Sequence, residues 1–262
     1  MTSVSNVAIG AKIAGAAATN ARHGMNEAIA RLSTGRRSMY GGDAAGQAMA
    51  DSIKAKGMSF AVAARNAEDG LSVAQTIESA LMEIASLAQR LREVAIQADN
   101  ASIQSTSDVT ALTAETTAIT KAIALIVETT KFNGTALMDT ADIDLAFGVT
   151  DAGGLTTISS QLIVDKSATT AAAGAETDAD AILADVGEAL GNTAAAMTVL
   201  KARQAVATAT SANLLAAASR LEDTDFAASS ANLAKFSILN QSAMAMVAQA
   251  NQAQSAVLAV LQ

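Results

Sequence analysis

The side chains that usually carry catalysis or bind metal ions are scarce in this chain. It contains no Cys and a single His, His23, so structural zinc sites, disulfides, thiol nucleophiles and His-dependent triads lack their residues. Asp139, Asp142 and Asp144 resemble a calcium loop, but the spacing and turn Gly of such a loop are missing, and we interpret them as solvated loop residues. The sequence therefore predicts no enzyme activity, no metal site and no cofactor.

The composition favours long helices. Of the 262 residues, 51% are apolar but only 2% are aromatic, and Pro is absent. Many strong helix formers, small side chains and the lack of Pro indicate closely packed helices and nearly exclude an all-β fold. The net charge of −8 disfavours a nucleic-acid partner, because sequence-independent affinity for nucleic acid depends on Lys and Arg.

The order of patterns along the chain predicts a mainly α fold with one small β region. Apolar positions at helical spacing predict helices over about 4–32, 43–100, 107–130, 178–220 and 223–262. A turn at Lys131–Gly134 precedes alternating apolar residues, which predict a β-hairpin at about 140–165. Small residues from Ser167 to Ala175 indicate a loop, and Gly41–Gly42 indicates a turn rather than a phosphate-binding loop.

Both ends of the chain carry an apolar heptad stripe. The predicted polymerisation seams are Val4, Val7, Ala11, Met25 and Leu32 near the N-terminus and Phe236, Leu239, Met246, Ala250, Val257 and Val260 near the C-terminus. Because the stripes are rich in Ala, they bury little apolar area, so two isolated helices would scarcely offset their ordering entropy. The sequence thus predicts a polymer whose ends fold on assembly with neighbouring copies.

A membrane-active amphipathic protein is an alternative reading of the same ends. No charge follows Lys235, but six Asn and Gln residues interrupt the apolar run and no basic face is present, so we predict no membrane insertion. Residues 1–21 show no basic segment followed by an apolar one and a cleavage site. We therefore expect export, where it occurs, without a cleaved signal peptide.

Motifs near both ends resemble those of bacterial flagellin, the subunit of the flagellar filament. The N-terminal half contains RLSTG (Arg31–Gly35), DAAGQA (Asp43–Ala48), RNAEDG (Arg65–Gly70), LREVAIQ (Leu91–Gln97) and FNG (Phe132–Gly134), which are similar to the family's RLSSG, DAAGQA, RNANDG, RELAVQ and FNG. The C-terminal part contains SRLEDTDFA (Ser219–Ala227), QANQ (Gln249–Gln252) and Val257-Leu258. These motifs occur in the family's order and at suitable spacing.

This resemblance implies an antiparallel helical bundle or coiled coil formed by the two terminal regions. It implies an N-terminal inner-core helix and connecting segment over 1–42, a helical bundle domain with the hairpin over 43–222, and a C-terminal inner-core helix over 223–262. Only residues 165–177 stand where the family inserts variable outer domains, so a minimal flagellin is expected. The family's function implies an extracellular filament for swimming, exported by the flagellar type III apparatus.

The resemblance also implies partners. These are other copies of the chain in a helical homopolymer, an export chaperone, and cap and hook-junction proteins. Six positions match the family's face for Toll-like receptor five, namely Gln89, Arg90, Arg92, Glu93, Gln97 and Glu115; we interpret this face first as subunit packing. Gln254 stands where the family commonly has Pro, which predicts an unbroken terminal helix. A hook–filament junction protein remains an alternative, distinguished by its small copy number.

Overall fold

A computed structural model describes residues 2–37, 43–138, 143–160 and 171–261. The predicted turn at Gly41–Gly42, the carboxylates of Asp139 and Asp142, and the loop residues 161–170 lie outside the described residues. The side chains of Val4, Val7, Val257 and Val260 are likewise not described.

The described chain is mainly helical, which confirms the predicted fold class. The α-helices are α1 (Thr2–Thr34), α2 (Ala44–Ala98), α3 (Thr106–Thr129), α4 (Ala175–Glu222) and α5 (Phe226–Leu261), and a short 3₁₀ helix covers Ala101–Ile103. Helix α5 continues through Gln254 without a break, as expected for a residue that keeps the backbone N–H that Pro lacks.

The strands form two separate antiparallel pairs. They are β1 (Lys131–Phe132) with β2 (Thr135–Ala136), and β3 (Ile143–Gly148) with β4 (Leu155–Ser160). Between β1 and β2, Asn133 has φ 49° and Gly134 has φ 82°, the left-handed conformations that a tight two-residue hairpin needs and that Asn-Gly supplies at low cost. The predicted turn is therefore a small hairpin of its own.

Helix α3 begins at a reciprocal cap. The Ser105 side chain accepts a hydrogen bond from the Asp108 backbone N–H, and the Asp108 carboxylate accepts one from the Ser105 backbone N–H. The hydrogen bonds from the Ser105 side chain and then its backbone lower the pKa of Asp108 below its usual value. Two backbone donors that a helix start leaves unpaired are satisfied in this way.

The chain divides into two compact units. The terminal unit comprises Met1–Ala55 and Leu214–Gln262, and the central unit comprises Lys56–Asn213. Helices α2 and α4 contribute residues to both units. The three-part division drawn from the sequence, at 42/43 and 222/223, remains a prediction.

The central unit has a conventional aliphatic core. Helix α2 buries Ile77, Leu81, Ile84 and Leu91, and helix α4 buries Ile182, Val186 and Leu200. Helix α3 adds Leu112, Ile119 and Ile123. The four-and-three spacing along α2 places its large side chains on one stripe, as a helix packed on one side requires.

Helix α3 is also long and apolar enough to cross a membrane, with a mean hydropathy of 1.3. Length and hydropathy alone do not distinguish a membrane span from a core helix. In the structure one face of α3 packs into the core of the central unit, and Glu115 on another face pairs with Arg90. These contacts hold α3 against the core of the central unit.

The RNAEDG motif docks the β3–β4 hairpin in the central unit. The Asn66 side-chain amide donates a hydrogen bond of 2.9 Å to the Gly148 carbonyl oxygen. A Cβ placed on Gly70 would lie 3.1 Å from both Phe147 Cγ and Leu200 Cδ1. Gly70 therefore provides the space that lets β3 approach α2 closely, and Asn66 satisfies the carbonyl at the end of that strand.

Replacing Gly70 with Ala should destabilise the central unit relative to a matched substitution in open space. Gly187→Ala in α4 is the control, because a Cβ there meets no atom within 4 Å and should stabilise the helix by up to about 1 kcal/mol. We expect the free energy of unfolding of Gly70→Ala, measured by urea denaturation, to fall below that of the control by about 1–3 kcal/mol. Equal stability of the two variants would contradict this docking role.

Candidate functional site

Helices α1 and α5 of the terminal unit pack as an antiparallel pair. Gly24 of α1 lies against the Phe236 ring near the start of α5. Gly10 and Ala14, nearer the N-terminus, line a common groove of about 270 Å³ with Met246 and Ala250. Residues near the start of α5 therefore contact the C-terminal half of α1, and residues near the end of α5 contact its N-terminal half. The two helices are antiparallel.

The inward face of α1 includes Ala11, Met25 and Leu32 of the predicted seam. Ala18, Ala21 and Ala28 are buried, and Ala11, Met25 and Leu32 are half-buried. Most of the side chains that α1 packs against α5 are thus alanines. Such a seam allows close backbone approach but buries little area for each residue.

The stripe on α5 differs in part from the predicted one. Phe236 and Ala250 are half-buried, but Leu239 is 46% exposed and Met246 is 59% exposed. The face turned inward runs instead through Leu233, Phe236, Asn240, Ala243, Val247, Ala250 and Gln254. Because this face contains Asn240 and Gln254, apolar periodicity alone does not predict it. Because α5 is rich in Ala, several stripes satisfy the heptad pattern equally well.

Large apolar side chains remain exposed on the outer faces of this pair. Ile9 and Ile13, four residues apart on α1, are 51% and 65% exposed, and Ile238 on α5 is 63% exposed. On a helix that turns about 100° for each residue, Ile9 lies opposite Ala18 and Ile13 lies about 140° from Ala18. The fully buried side chains between the helices are thus alanines, whereas several larger aliphatic side chains are exposed on the outer faces.

A set of backbone and ionic contacts, which we call the closing clamp, joins the adjacent ends of α1 and α5. It consists of residues 35–37 and 222–224. The Thr224 N–H donates to the Gly35 carbonyl at 2.8 Å, the Arg37 N–H donates to the Glu222 carbonyl at 2.7 Å, and Arg36 forms a β-bridge with Asp223. These bonds pair two segments that are far apart in sequence.

Three of the motifs supply the helix ends around the closing clamp. Gly35, with φ 70°, ends α1 in the left-handed conformation that RLSTG provides. Asp43 of DAAGQA accepts a hydrogen bond from the Gly46 N–H at the start of α2, and Asp225 of SRLEDTDFA accepts from the Ala227 and Ala228 N–H groups at the start of α5. The motif residues therefore act as caps.

The Glu222 carboxylate is the ionic centre of the closing clamp. Its side chain is only 7% exposed and contacts Arg36, while Lys54 Nζ lies 3.4 Å from its second oxygen. A carboxylate removed from water requires such partners, and loss of the negative charge would leave two cations without their counterion. Glu222 thus ties α1 and α2 to the end of α4.

Glu222→Gln should loosen the closing clamp. We expect amide hydrogen exchange at Arg37 and Thr224, measured on assembled protein, to accelerate by about 10- to 100-fold, which corresponds to about 1.4–2.8 kcal/mol. Glu27→Gln is the matched control, because Glu27 forms a more exposed ion pair with Arg31 within α1 and should change exchange little. Unchanged exchange in Glu222→Gln would show that the backbone bonds suffice alone.

The second predicted surface lies on the exposed face of α2 in the central unit. Gln89, Arg90, Arg92, Glu93 and Gln97 are all exposed there. Arg90 Nη2 lies 2.6 Å from Glu115 Oε1, and Arg90 Nη1 lies 3.0 Å from Glu93 Oε2. Hydrogen bonds first to Glu115 and then to Glu93 raise the pKa of Arg90, so the structure brings the predicted residues Arg90, Glu93 and Glu115 together in one network.

A group of carboxylates borders this surface. Arg92 Nε lies 2.8 Å from Asp180 Oδ1. The hydrogen bond with Asp99, followed by the charge of Asp99, raises the pKa of Glu176. His/Cys/Asp/Glu groups suited to a metal ion are absent from the described part of the chain. His23 is exposed on α1, and Asp144 is exposed on β3.

Comparison with known proteins finds related helical regions at both ends of the chain. The bacterial flagellin N-terminal helical region matches residues 6–142, and the flagellin C-terminal helical region matches residues 169–261. A flagellin of Halalkalibacterium halodurans is 36% identical over 250 residues, covering 90% of this chain and 91% of the relative. A flagellin of Bacillus subtilis is 32% identical over 275 residues, covering 88% and 90%.

A third relative matches over a smaller share of both chains. A flagellin of Xenorhabdus nematophila is 38% identical over 154 residues, which are 58% of this chain but only 49% of the relative. In the present chain, residues 161–174 separate β4 from α4, which is consistent with the lack of a central variable domain.

These matches define a non-enzymatic structural protein of a helical filament. The chain belongs to the bacterial flagellin family. Its function is that of a subunit of the extracellular flagellar filament, which is a homopolymer that serves motility.

Proposed function

We propose that the terminal unit drives polymerisation by burying the outer faces of α1 and α5 against neighbouring copies. The observation that carries this proposal is the exposure of Ile9, Ile13, Ile238 and Met246 around a seam of alanines. Clusters of exposed aliphatic side chains on a soluble subunit are typical of interaction surfaces. The predicted seam residues thus differ in exposure. Ala11, Met25, Leu32, Phe236 and Ala250 are half-buried in the pair, Leu239 is exposed, and Met246 is exposed at the rim of the groove that it shares with Ala14.

Energetics favour folding of this unit together with assembly. Each buried alanine contributes little at about 25 cal/mol per Å² of apolar area, whereas ordering a helical residue costs about 1–2 kcal/mol in backbone entropy. Neighbouring copies would add the larger area of Ile and Met side chains. Val4, Val7, Val257 and Val260 of the predicted seam remain part of this proposal.

A charge on the outer face should block polymerisation. In Met246→Asp, assembly would bury an unpaired carboxylate, so the critical monomer concentration for seeded filament growth should rise by at least about tenfold. Helicity of the central unit should be retained, since Met246 belongs to the terminal unit. Sedimentation and negative-stain electron microscopy measure the outcome.

The control for this experiment is Gln252→Asp, which places the same charge at an exposed polar position of α5. It should assemble far better than Met246→Asp. Normal filaments from Met246→Asp would contradict the assignment of Met246 to a subunit contact.

The export route and accessory partners follow from the flagellin assignment as further proposals. We infer export through the flagellar type III apparatus without a cleaved signal peptide, guided by an export chaperone and completed at the filament tip beneath a cap protein. A hook–filament junction role is the alternative for a chain of this family, and copy number in isolated flagella distinguishes the two. High abundance relative to hook protein supports the filament subunit.

The exposed face of α2 is proposed first as a packing surface between subunits and second as a site for Toll-like receptor five. The network of Arg90 with Glu93 and Glu115 supports both, because it presents charged groups that a partner can pair with and keeps the Arg90 side chain in a defined orientation. An Arg held in this way on an exposed helix is a common anchor of protein interfaces.

Arg90→Ala separates these two roles. Reporter cells that express the vertebrate receptor should respond to the monomer with at least about tenfold lower potency, equivalent to about 1.4 kcal/mol. Lys121→Ala on α3 is the charge-matched control, because Lys121 is also exposed. Seeded polymerisation of the same two variants tests subunit packing, and unchanged potency together with unchanged assembly would contradict both roles of Arg90.

A further inference from the structure

The Phe236 ring packs against Gly24, a residue without a side chain, in a seam where alanine is the commonest buried residue. A Cβ placed on Gly24 would lie 2.5–2.6 Å from the Cζ, Cε1 and Cε2 atoms of Phe236. These are the three atoms at the tip of the ring, so the ring enters end-on a space that exists only because residue 24 has no side chain. Cβ atoms do not tolerate carbon contacts this short, since two carbons in contact lie about 3.5–4.0 Å apart.

The alanines around this contact cannot by themselves define how far along α1 helix α5 lies. Ala18, Ala21, Ala28 and Ala243 are similar in shape, so sliding one helix by a heptad replaces one Ala–Ala contact by another. A heptad slide moves Phe236 onto Ala17 or Arg31, and both of these residues carry a side chain where Gly24 has none.

Two other glycines of α1 do not offer an equivalent site. A Cβ at Gly10 or Gly15 would meet no atom within 4 Å. Gly15 lies on a different side of α1 from Gly24, and Gly10 lies two heptads away, about 21 Å along the helix. A slide of that length would break the closing clamp, in which the Thr224 N–H donates a hydrogen bond to the Gly35 carbonyl oxygen.

From this geometry we propose that the Phe236–Gly24 contact determines the axial register of α5 on α1, and thereby the surface that the helix pair offers to neighbouring copies. The second clause rests on the proposed role of the terminal unit in polymerisation. The closing clamp fixes the pair at one end, and the Phe236–Gly24 contact fixes it about 17 Å further along α1. Together they prevent a heptad slip that would displace Ile238 and Met246 relative to Ile9 and Ile13 by about 10 Å.

Disulfide trapping measures register directly, and the chain has no native Cys to interfere. The Ala14→Cys/Ala250→Cys pair reports the observed register, because both residues line one groove. The Ala14→Cys/Leu239→Cys pair reports a heptad slip, since the slip would bring position 239 to the place now held by Met246. A disulfide requires Cα atoms within about 7 Å, so each pair should form mainly in the register that brings its two positions to the same groove.

Each pair is introduced into the otherwise unchanged chain, into Gly24→Ala and into the control Gly15→Ala. Seeded filaments are first scored by electron microscopy and then oxidised. Intramolecular disulfides, identified by mass, are quantified separately from crosslinks between copies. Gly15→Ala makes the same change to helix propensity at a site with open space, so a difference between the two variants reports the ring contact.

We expect the unchanged chain and Gly15→Ala to form the 14–250 disulfide at least tenfold more than the 14–239 disulfide. Gly24→Ala should reduce that ratio by at least fivefold, and Gly24→Ala/Phe236→Ala should keep it low because it relieves the clash without restoring the large ring. Gly24→Phe/Phe236→Gly, which exchanges the two partners, should recover at least half of the original ratio.

An unaltered ratio in Gly24→Ala would overturn the proposal, and so would a failure of the exchanged variant to exceed the double Ala variant. These outcomes differ from a failure of the proposed polymerisation surface. That failure would appear as normal filament growth in Met246→Asp, whatever the disulfide ratio within the subunit.

Discussion

Alanine side chains at positions such as Ala18, Ala21 and Ala28 let α1 approach α5 closely, but each removes little apolar area from water. This constraint shapes the rest of the terminal unit. A seam that is weak along its length depends on a few specific contacts for its geometry, and it leaves larger apolar side chains to the outer faces. The closing clamp around Glu222 and the ring contact at Gly24 are the contacts that supply this definition.

The central unit, by contrast, is stabilised by large aliphatic side chains within the subunit. Its core of Ile, Leu and Val side chains, including Ile77, Leu81 and Leu200, buries enough area to hold three helices and a docked hairpin within one subunit. In this unit the motif residues hold the hairpin in place. Asn66 donates a hydrogen bond to the Gly148 carbonyl oxygen, and Gly70 leaves space for the Phe147 ring. The central unit thus has a core that stabilises the subunit itself, whereas contact with neighbouring copies is proposed for the terminal unit.

Sequence patterns predicted the helices and the hairpin well. Apolar residues at helical spacing without Pro permit few alternatives to a helix, and alternating apolar residues after a turn indicate strands. They were less informative for the face of α5. With Ala at many positions, stripes through Leu239 and Met246 and through Asn240 and Val247 are nearly equivalent by hydropathy, and packing against α1 selects the second. Sequence patterns did not predict the closing clamp or the Phe236–Gly24 contact, because each joins residues far apart in sequence. Within its own segment, Gly24 indicates only a residue of low helix propensity.

The packing of α5 on α1 indicates what the amide side chains of α5 do. Asn240 lies in the inward stripe, and its Oδ1 atom is buried without a hydrogen-bond partner among the described residues. An unpaired buried carbonyl oxygen opposes folding of the isolated pair. A leucine at this position would strengthen the α1–α5 seam, but it would also stabilise a free helix pair whose outer Ile and Met side chains remain in water. We interpret the weak seam as a means of keeping the terminal helices dependent on neighbours, so that the exposed aliphatic faces are ordered mainly where a filament can cover them.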